Sequence, residues 1–527
     1  MHHALPLVLV AWIATGAAAQ GPLASLPEVR AADGNGDGRL DQSDLDLAQA
    51  RCRELQGCRL RLVDGTWHDI AWTLSGPLPK GLDVSCETPL GCELRLPVGA
   101  RAPLIALDPS APAGTRIHGL RMRGLKEQQP PDCGWLGGPG SCGVLLQQVA
   151  VLYDDPKQKL EGLVVADNDI EGFVCRGIQL RNAVRATISG NAIRHIGCHR
   201  ADTPCPRIDA AVCPAGTPCP RGRRGRQPDR TYLGRGMTIL PGSEGVVIRG
   251  NRISKATKYG ILGGFATQRS SAPPHDLTIE DNVVEDSMNG LVVNGARRYI
   301  VRNNVCHRAG MTGWIGNAAR CFGDGNLGRD ALWEGNQAFQ PGGSGFQFGN
   351  QEGSHRALGN RVYGACQGGS GPERPPHQRS DFHYAPGRVG GPPWPQGFEF
   401  SGNSSHDSRC EQALRITHVE GFRAHAGRGL NALSGGTRFG VSLGPSADVV
   451  LAGLRVVRPR PGGERGITTQ AGLSRIVVQP SVEILGYAEA LAGQGERAVT
   501  DCRVFADAPG CKPAATPVSA TDPAASP

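Results

Sequence analysis

Val165-Ala166-Asp167-Asn168-Asp169-Ile170, followed by Ile188-Ser189-Gly190-Asn191-Ala192-Ile193, states one phrase twice: an apolar residue, two loose positions, an Asn, one loose position and an apolar residue. Further copies centre on Asn251, Asn282, Asn304, Asn336, Asn360 and Asn403. Where nothing intervenes the copies stand 22 to 24 residues apart (168 to 191, 282 to 304, 336 to 360), and the wider gaps of 31, 32, 43 and 60 fit one coil carrying a loop, or two coils. A period in this range marks stacked units, each burying a face only against its neighbours. Apolar and polar residues alternate within each phrase and Gly or Asn punctuates it, so the units are strands.

A second phrase precedes most of the Asn phrases: Gly177-Ile178-Gln179-Leu180, Gly236-Met237-Thr238-Ile239, Gly260-Ile261-Leu262, Gly290-Leu291-Val292-Val293 and Gly345-Phe346-Gln347-Phe348. Its alternation turns Ile178, Leu180, Met237, Ile239, Leu291, Val293, Phe346 and Phe348 inward and Gln179, Thr238 and Val292 outward. Two or three short strands per repeat, with turns between them, make one coil of a parallel β-helix. An Asn at the turn can stack on its neighbours, its amide donating and accepting in a ladder that satisfies turn backbone groups. Ile117-His118-Gly119-Leu120-Arg121-Met122 and Leu451-Ala452-Gly453-Leu454-Arg455-Val456 keep the phrase with Leu in place of Asn, so the solenoid is expected over about 58–485.

The phrases Ile188–Ile193, Ile248-Arg249-Gly250-Asn251-Arg252-Ile253 and Ile279-Glu280-Asp281-Asn282-Val283-Val284 resemble those of the right-handed parallel β-helix, or pectate-lyase-like, superfamily. The resemblance implies an all-β solenoid with an Asn ladder. It covers lyases, hydrolases, epimerases, tailspikes and non-catalytic surface proteins, and so leaves the function open.

The bulk numbers agree. Of 527 residues 75 are Gly and 40 Pro, which suits many tight turns, and the net charge of +8 permits an acidic partner without requiring one. No C2H2 spacing, basic helix or aromatic-basic platform points to nucleic acid. Residues 1–19 read as a secretory signal, with an apolar run from Leu5 to Ala14 and small residues Ala17-Ala18-Ala19; the run is too short to span a bilayer. The expected location is secreted or periplasmic, and the expected state a monomer.

Cysteine usage points the same way. Of 17 Cys, most form near neighbours: Cys52/Cys58, Cys86/Cys92, Cys133/Cys142, Cys306/Cys321 and Cys502/Cys511, with Cys366/Cys410 a further pair. Cys198, Cys205, Cys213 and Cys219 share one insertion; Pro beside three of them and the lack of a knuckle spacing favour disulfides over zinc. Cys175 is left over, as a free and buried thiol. The domain plan is a signal at 1–19, a small module at 20–57, the β-helix at 58–485 with insertions at 198–234 and 367–397, and a tail at 486–527 that is disordered after 511. The first insertion carries Arg221-Gly222-Arg223-Arg224-Gly225-Arg226, and the second His377, His383 and Trp394.

The module holds Asp33-Gly34-Asn35-Gly36-Asp37-Gly38-Arg39-Leu40-Asp41-Gln42-Ser43-Asp44. Oxygen ligands fall at loop positions 1, 3, 5, 9 and 12, with Gly at 6 and a carbonyl at 7, the alternation that aims oxygens at a hard cation. It resembles an EF-hand loop, and more closely one half of a dockerin repeat. The resemblance implies Ca²⁺ on Asp33, Asn35, Asp37, the Arg39 carbonyl, Asp41 (through water) and Asp44. Asp44 is shorter than the usual Glu, and a single copy argues against docking to a cohesin.

In the β-helix superfamily the substrate lies along one strand face, and lyases pair a Lys or Arg base with a cation that neutralises a carboxylate. Arg176 and Arg235 flank equivalent glycines in neighbouring coils, and Lys258-Tyr259 flank the next. Such a stripe suits an acidic sugar: Arg176 and Arg235 hold the carboxylate, while Lys258, Tyr259 or Arg235 serve proton transfer. The alternative is that these are turn residues on a solvated edge, and His275 reads as a loop histidine with no role. The carboxylates Asp281, Glu285, Asp286, Asp324 and Asp330 give no hydrolase pair that sequence can place. The expectation is a secreted Ca²⁺-binding β-helix protein that binds or cleaves an extracellular, acidic polysaccharide, by β-elimination if catalytic. The alternative is a non-catalytic surface or matrix scaffold.

Overall fold

The computed structural model describes residues 25–501 apart from 77, 101, 126–148, 198–233, 266–271, 311–319, 326, 350, 368–379, 386–392, 459–462 and 494–498. The signal, Cys133, Cys142, the four Cys and the Arg cluster of the 198–234 insertion, His377, Cys502, Cys511 and the tail beyond 501 lie outside the described residues.

The strands assemble into three parallel sheets of 16, 15 and 14 strands, which form a right-handed parallel β-helix. One coil gives Thr187–Ser189 to the first sheet, Ala192–Ile196 to the second and Arg235–Ile239 to the third. The short connection from first to second sheet contains the ladder Asn. The residue ahead of the Asn is left-handed in each ladder coil, with Gly190 at φ 65° and Asp281 at φ 56°. Only Gly, Asn and Asp occupy that conformation readily, which is why the sequence there reads Gly, Asp or Asn.

All eight Asn stack in one row. Asn191 Nδ2 donates to Asn251 Oδ1 at 2.9 Å, Asn251 to Asn282 at 2.9 Å, and Asn282 to Asn304 at 3.0 Å. The row continues through Asn336 and Asn360 to Asn403, whose backbone N–H donates to Asn431 Oδ1 at 3.0 Å. Asn431 is thus a ninth member that the phrase search missed, because its coil reads Gly429-Leu430-Asn431-Ala432-Leu433 with Leu430 at the turn position. Leu120 and Leu454 occupy the ladder position at the two ends, with Leu120 N–H closing the row on Asn168 Oδ1 at 3.0 Å.

Inside, alternation in each sheet supplies a continuous apolar bore: Ile188 and Ile248 from the first sheet, Ile193 and Ile253 from the second, Ile178 and Met237 from the third, all buried. The filling then turns aromatic. Phe322, Phe346 and Phe382 stack coil on coil at 4.8 and 5.2 Å, and Trp333, Phe348, Tyr384 and Phe400 complete that stretch. Each such side chain contributes about 1.5–3 kcal/mol through burial alone.

The solenoid is longer than 58–485. Glu28–Ala31 already pairs with Cys58–Leu62, and Val499–Asp501 pairs with Leu473–Val478. The calcium-loop segment is therefore the first coil of the same stack and not a separate module. Its helix, Gln42–Glu54, turns Leu45, Ala48 and Cys52 onto the core and covers the open end of the bore, where an unprotected sheet edge would invite pairing with another chain. Gln49 accepts from Trp72 Nε1 at 2.6 Å, and Cys52–Cys58 ties the helix to the first sheet. The 367–397 excursion is likewise not one loop. Ser380–Ala385 is a third-sheet strand within it, hidden from pattern reading by the Gly and Pro on both sides.

Disulfides join Cys52–Cys58, Cys86–Cys92, Cys306–Cys321 and Cys366–Cys410, as the spacing predicts. Cys175 corrects the sequence reading: it is buried but disulfide-bonded, to a partner outside the described residues.

Candidate functional site

The long segments of the chain all join the third sheet. Residues 126–148, 198–233, 311–319 and 368–379 lead into its strands, while 266–271 and 386–392 leave from them. The connections between the first two sheets stay short. Long loops along one sheet of a solenoid make that sheet the floor of a candidate binding face.

Strand register sets the floor residues side by side. Arg176 pairs with Arg235, Arg235 with Tyr259, Tyr259 with Asn289, and Asn289 with Arg320. Neighbouring strands lie about 4.8 Å apart, so the file from Arg176 to Arg320 spans roughly 19 Å along the solenoid axis. Three guanidinium groups therefore share one line with a phenol and an amide, and no carboxylate of a described residue stands between them. An outward polar file would ordinarily be solvated, yet Arg176 is 7% and Arg235 6% exposed.

Burial sets the electrostatics. It pushes Arg176 down to about 9, with the neighbouring Arg235 cation acting in the same direction and Asp154 opposing it. Arg235 is also lowered by burial, with Tyr259 acting the other way. Both guanidinium groups remain protonated at neutral pH, and the lowered values express how poorly the site solvates their charge. Arg176 donates to the Gln179 side chain, and Gln179 Nε2 donates to Asp154 Oδ2 at 2.6 Å. The Tyr259 ring lies 5.7 Å from Arg235 Cζ and 5.6 Å from Lys258 Nζ, within the range of cation–π attraction.

Arg176, Arg235 and Tyr259 thus come together as the glycine phrases predict, while Lys258 sits one residue ahead of the file and beside the ring. The glycine rule missed Arg320, because Cys321 takes the small inward position that Gly290 holds one coil earlier. Arg320 is again lowered by burial, with Tyr259 opposing. Asn289 lacked any motif, and only register reveals it.

The carboxylates considered for hydrolysis are elsewhere. Glu285 is ion-paired with Arg252 at 3.1 Å and Asp286 with Arg308 at 2.8 Å, while Asp324 is buried, its carboxyl raised well above the usual range by that burial. His275 is a strand residue of the first sheet, not a loop residue. Among the described residues, Glu244, His275 and Asp276 are the one group whose His and carboxylate ligand atoms gather within 4.8 Å of each other. Arg298 donates to Asp276 at 2.7 Å and holds its carboxyl down to about 2, and Lys159 meets Glu244 at 3.4 Å, so cationic side chains already serve this cluster.

The carboxylates of the Asp33–Asp44 loop do not crowd together as those of the Glu244 cluster do. Asp33 accepts from the N–H groups of Gly36 at 2.7 Å and Gly38 at 2.8 Å, Asn35 from Asp37 at 2.9 Å, and Asp37 from Arg39 at 2.8 Å. The backbone so wound is left-handed at Gly36 and Gly38, φ 76° and 79°. Asp44 is buried and reaches back to Gly34 N–H at 2.8 Å, while Asp41 forms the N-cap of the helix. These oxygens keep lone pairs free beyond their N–H partners, so the donor set fits a hard cation.

No protein-family model and no curated protein matches the chain. Solved structures do. The surface adhesin PfbA of Streptococcus pneumoniae aligns over 89% of this chain and 94% of its own, at 10% identity and a TM-score of 0.47. The A-module of the mannuronan C-5 epimerase AlgE4 of Azotobacter vinelandii aligns over 88% and 97%, at 11% identity and a TM-score of 0.37. The catalytic unit of a GH87 alpha-1,3-glucanase from Streptomyces thermodiastaticus aligns over 90% and 72%, at 12% identity and a TM-score of 0.33. At these identities the likeness is one of fold alone.

Proposed function

We propose that this chain is an extracellular β-helix protein that binds an acidic polysaccharide along the outer face of its third sheet. The observation that carries the reading is the Arg176–Arg235–Tyr259–Asn289–Arg320 file, cationic, free of described carboxylates, and buried at Arg176, Arg235 and Asn289. Guanidinium forks match carboxylates, and the ring and amide between them suit the apolar and hydroxyl faces of a sugar. Four disulfides between described residues, a fifth at Cys175 and the secretory-type N-terminus support a secreted or periplasmic location.

Hydrolysis needs two facing carboxylates, which the described file lacks. β-Elimination needs a base and a neutralised uronate instead. Arg176 and Arg235 would hold the carboxylate, making the neighbouring C–H more acidic. Tyr259 or Lys258 would take that proton as the C–O bond to the next sugar breaks, leaving a C=C bond, and the departing oxygen would take up a proton. The rival is a rigid, non-catalytic scaffold that binds glycan without cutting it, favoured by the displacement of Lys258 from the file. In the first coil, Ca²⁺ would be held by Asp33, Asn35, Asp37, the Arg39 carbonyl, Asp41 and Asp44, fixing the loop that precedes the capping helix.

Binding to a panel of uronate and neutral polymers tests the reading, with ultraviolet absorbance of unsaturated product separating lyase from scaffold. Salt-sensitive binding to the acidic polymers supports it. Binding to neutral polymers alone, unaffected by salt, refutes it.

A further inference from the structure

Many described arginines on the other faces of the solenoid have a carboxylate partner, while others, such as Arg121, Arg249 and Arg361, stand exposed without one. Arg298 is paired with Asp276, Arg302 with Glu280, Arg356 with Glu399, and Arg475 with Asp448. Two on the third sheet lack a carboxylate partner while withdrawn from solvent. Arg320 and Arg415 are half-buried, with the Nε of each out of solvent and unpartnered, and no described residue offers either one an ion pair or a hydrogen bond. Glu411, the carboxylate nearest in sequence to Arg415, is taken by Arg438 at 3.3 Å. Burial lowers the pKa of both guanidinium groups, with Tyr259 and Glu411 respectively in opposition. A cation held out of water without a counter-charge is costly, and a bound anion offsets that cost.

Register shows what lies between them. Gly323, Gln347, His383 and Arg415 occupy one outward line on four successive strands. A Cβ at Gly323 would stand 2.3 Å from Arg320 Nε, so the guanidinium lies over the glycine and heads this line. Gln347 adds a side-chain amide to the line, whose N–H groups are the donors available to an anion.

We infer that Arg320, Gln347, His383 and Arg415 form an oxyanion subsite, distinct from the Arg176–Arg235 end of the floor, which takes two acidic groups of one extended ligand. Three strand steps separate its cationic ends by roughly 14 Å, so the ligand is an oligosaccharide carrying carboxylate or sulfate groups at that separation. The inference rests on the polysaccharide reading for the identity of the ligand, and on the two unpaired guanidinium groups for the existence of the site.

The test uses the full chain, its Arg320→Gln and Arg415→Gln variants, Gly323→Ala, and Arg475→Gln from the first sheet as a control. Sulfate, compared with chloride at equal ionic strength, raises the thermal midpoint of the parent protein and of the control. Arg320→Gln and Arg415→Gln lose that response, and Gly323→Ala, which keeps both charges but displaces Arg320, weakens it. Each Gln variant lowers affinity for acidic oligosaccharide by about tenfold or more, as for a lost charge-assisted bond. An intact sulfate response in both Gln variants overturns the inference. So does glycan binding that Arg176→Ala abolishes and neither Gln variant alters, and this leaves the polysaccharide reading standing. A variant-sensitive sulfate response without binding of any acidic glycan upholds the subsite and removes the glycan as its ligand.

Discussion

Replacing Asn282 with Leu tests the physics of the repeat directly. Asn282 is buried, and its side chain makes five hydrogen bonds. Oδ1 accepts from Asn251 N–H at 3.0 Å and Asn251 Nδ2 at 2.9 Å, while Nδ2 donates to Ile248 O, Glu280 O and Asn304 Oδ1. Leu keeps the bulk and removes all five. Asn251 Nδ2 still reaches Ile188 O, and Asn304 Oδ1 still accepts from Asn282 N–H, so the main orphan is the Asn251 backbone N–H. One buried orphan costs about 1–3 kcal/mol and the other lost bonds add a smaller net amount, for about 2–5 kcal/mol in all. Urea unfolding followed by circular dichroism measures the difference, provided the transition stays cooperative and its slope unchanged. Asn282→Asp keeps the acceptor for Asn251 N–H but turns a buried carboxylate oxygen on the acceptors Ile248 O, Glu280 O and Asn304 Oδ1, and should cost at least as much as Leu at neutral pH. A loss below about 0.5 kcal/mol, typical of surface substitutions, would refute the claim that the row contributes to stability.

Other outcomes follow from named groups. Asp381 is buried and accepts from the Ser408 hydroxyl, and burial pushes its carboxyl up to about 7 against roughly 3.9 unfolded. The folded state therefore holds the proton more tightly, and this contribution to stability, full below about pH 4, is lost as pH rises to about 7. Asp381→Asn should stabilise by about 2–4 kcal/mol at pH 8 and by little at pH 4; an equal effect in urea at both pH values contradicts this. Calorimetry on the full chain should show Ca²⁺ binding in preference to Mg²⁺, with Asp33→Ala and Asp37→Ala both abolishing the heat; persistence in the variants refutes the loop assignment. Arg235→Ala should weaken acidic-glycan binding by about 1.5–3 kcal/mol, and an unchanged affinity would move the ligand elsewhere. If unsaturated product forms, Lys258→Ala or Tyr259→Phe should lower kcat more than affinity, and the reverse split would assign them to binding.

The fold was legible because the Asn ladder imposes residue identity. A left-handed corner admits few residues ahead of the Asn, and a buried amide row admits few substitutes for it. Asn431 escaped because its turn departs from that phrase, and Ser380–Ala385 because Gly and Pro surround it. The site was legible where glycine marks the inward position next to the functional side chain, as at Arg176 and Arg235. It was not legible at Arg320, where a disulfide replaces the glycine, nor at Gln347 and Arg415, whose significance depends on strands brought together across long segments. Cys175 shows the same limit: pairing cysteines by near neighbours left it over, yet it is disulfide-bonded.

Hydrogen-exchange protection on adding an acidic oligosaccharide tests the central claim most directly, because it reports location without assuming catalysis. The account predicts added protection in the third-sheet strands Arg176–Arg181, Arg235–Ile239, Tyr259–Phe265, Asn289–Asn294 and Arg320–Gly325, fading as salt rises. Protection centred instead on the second sheet, where His307, Phe339, Tyr363 and His406 stack along the outer surface, and insensitive to salt, would contradict it.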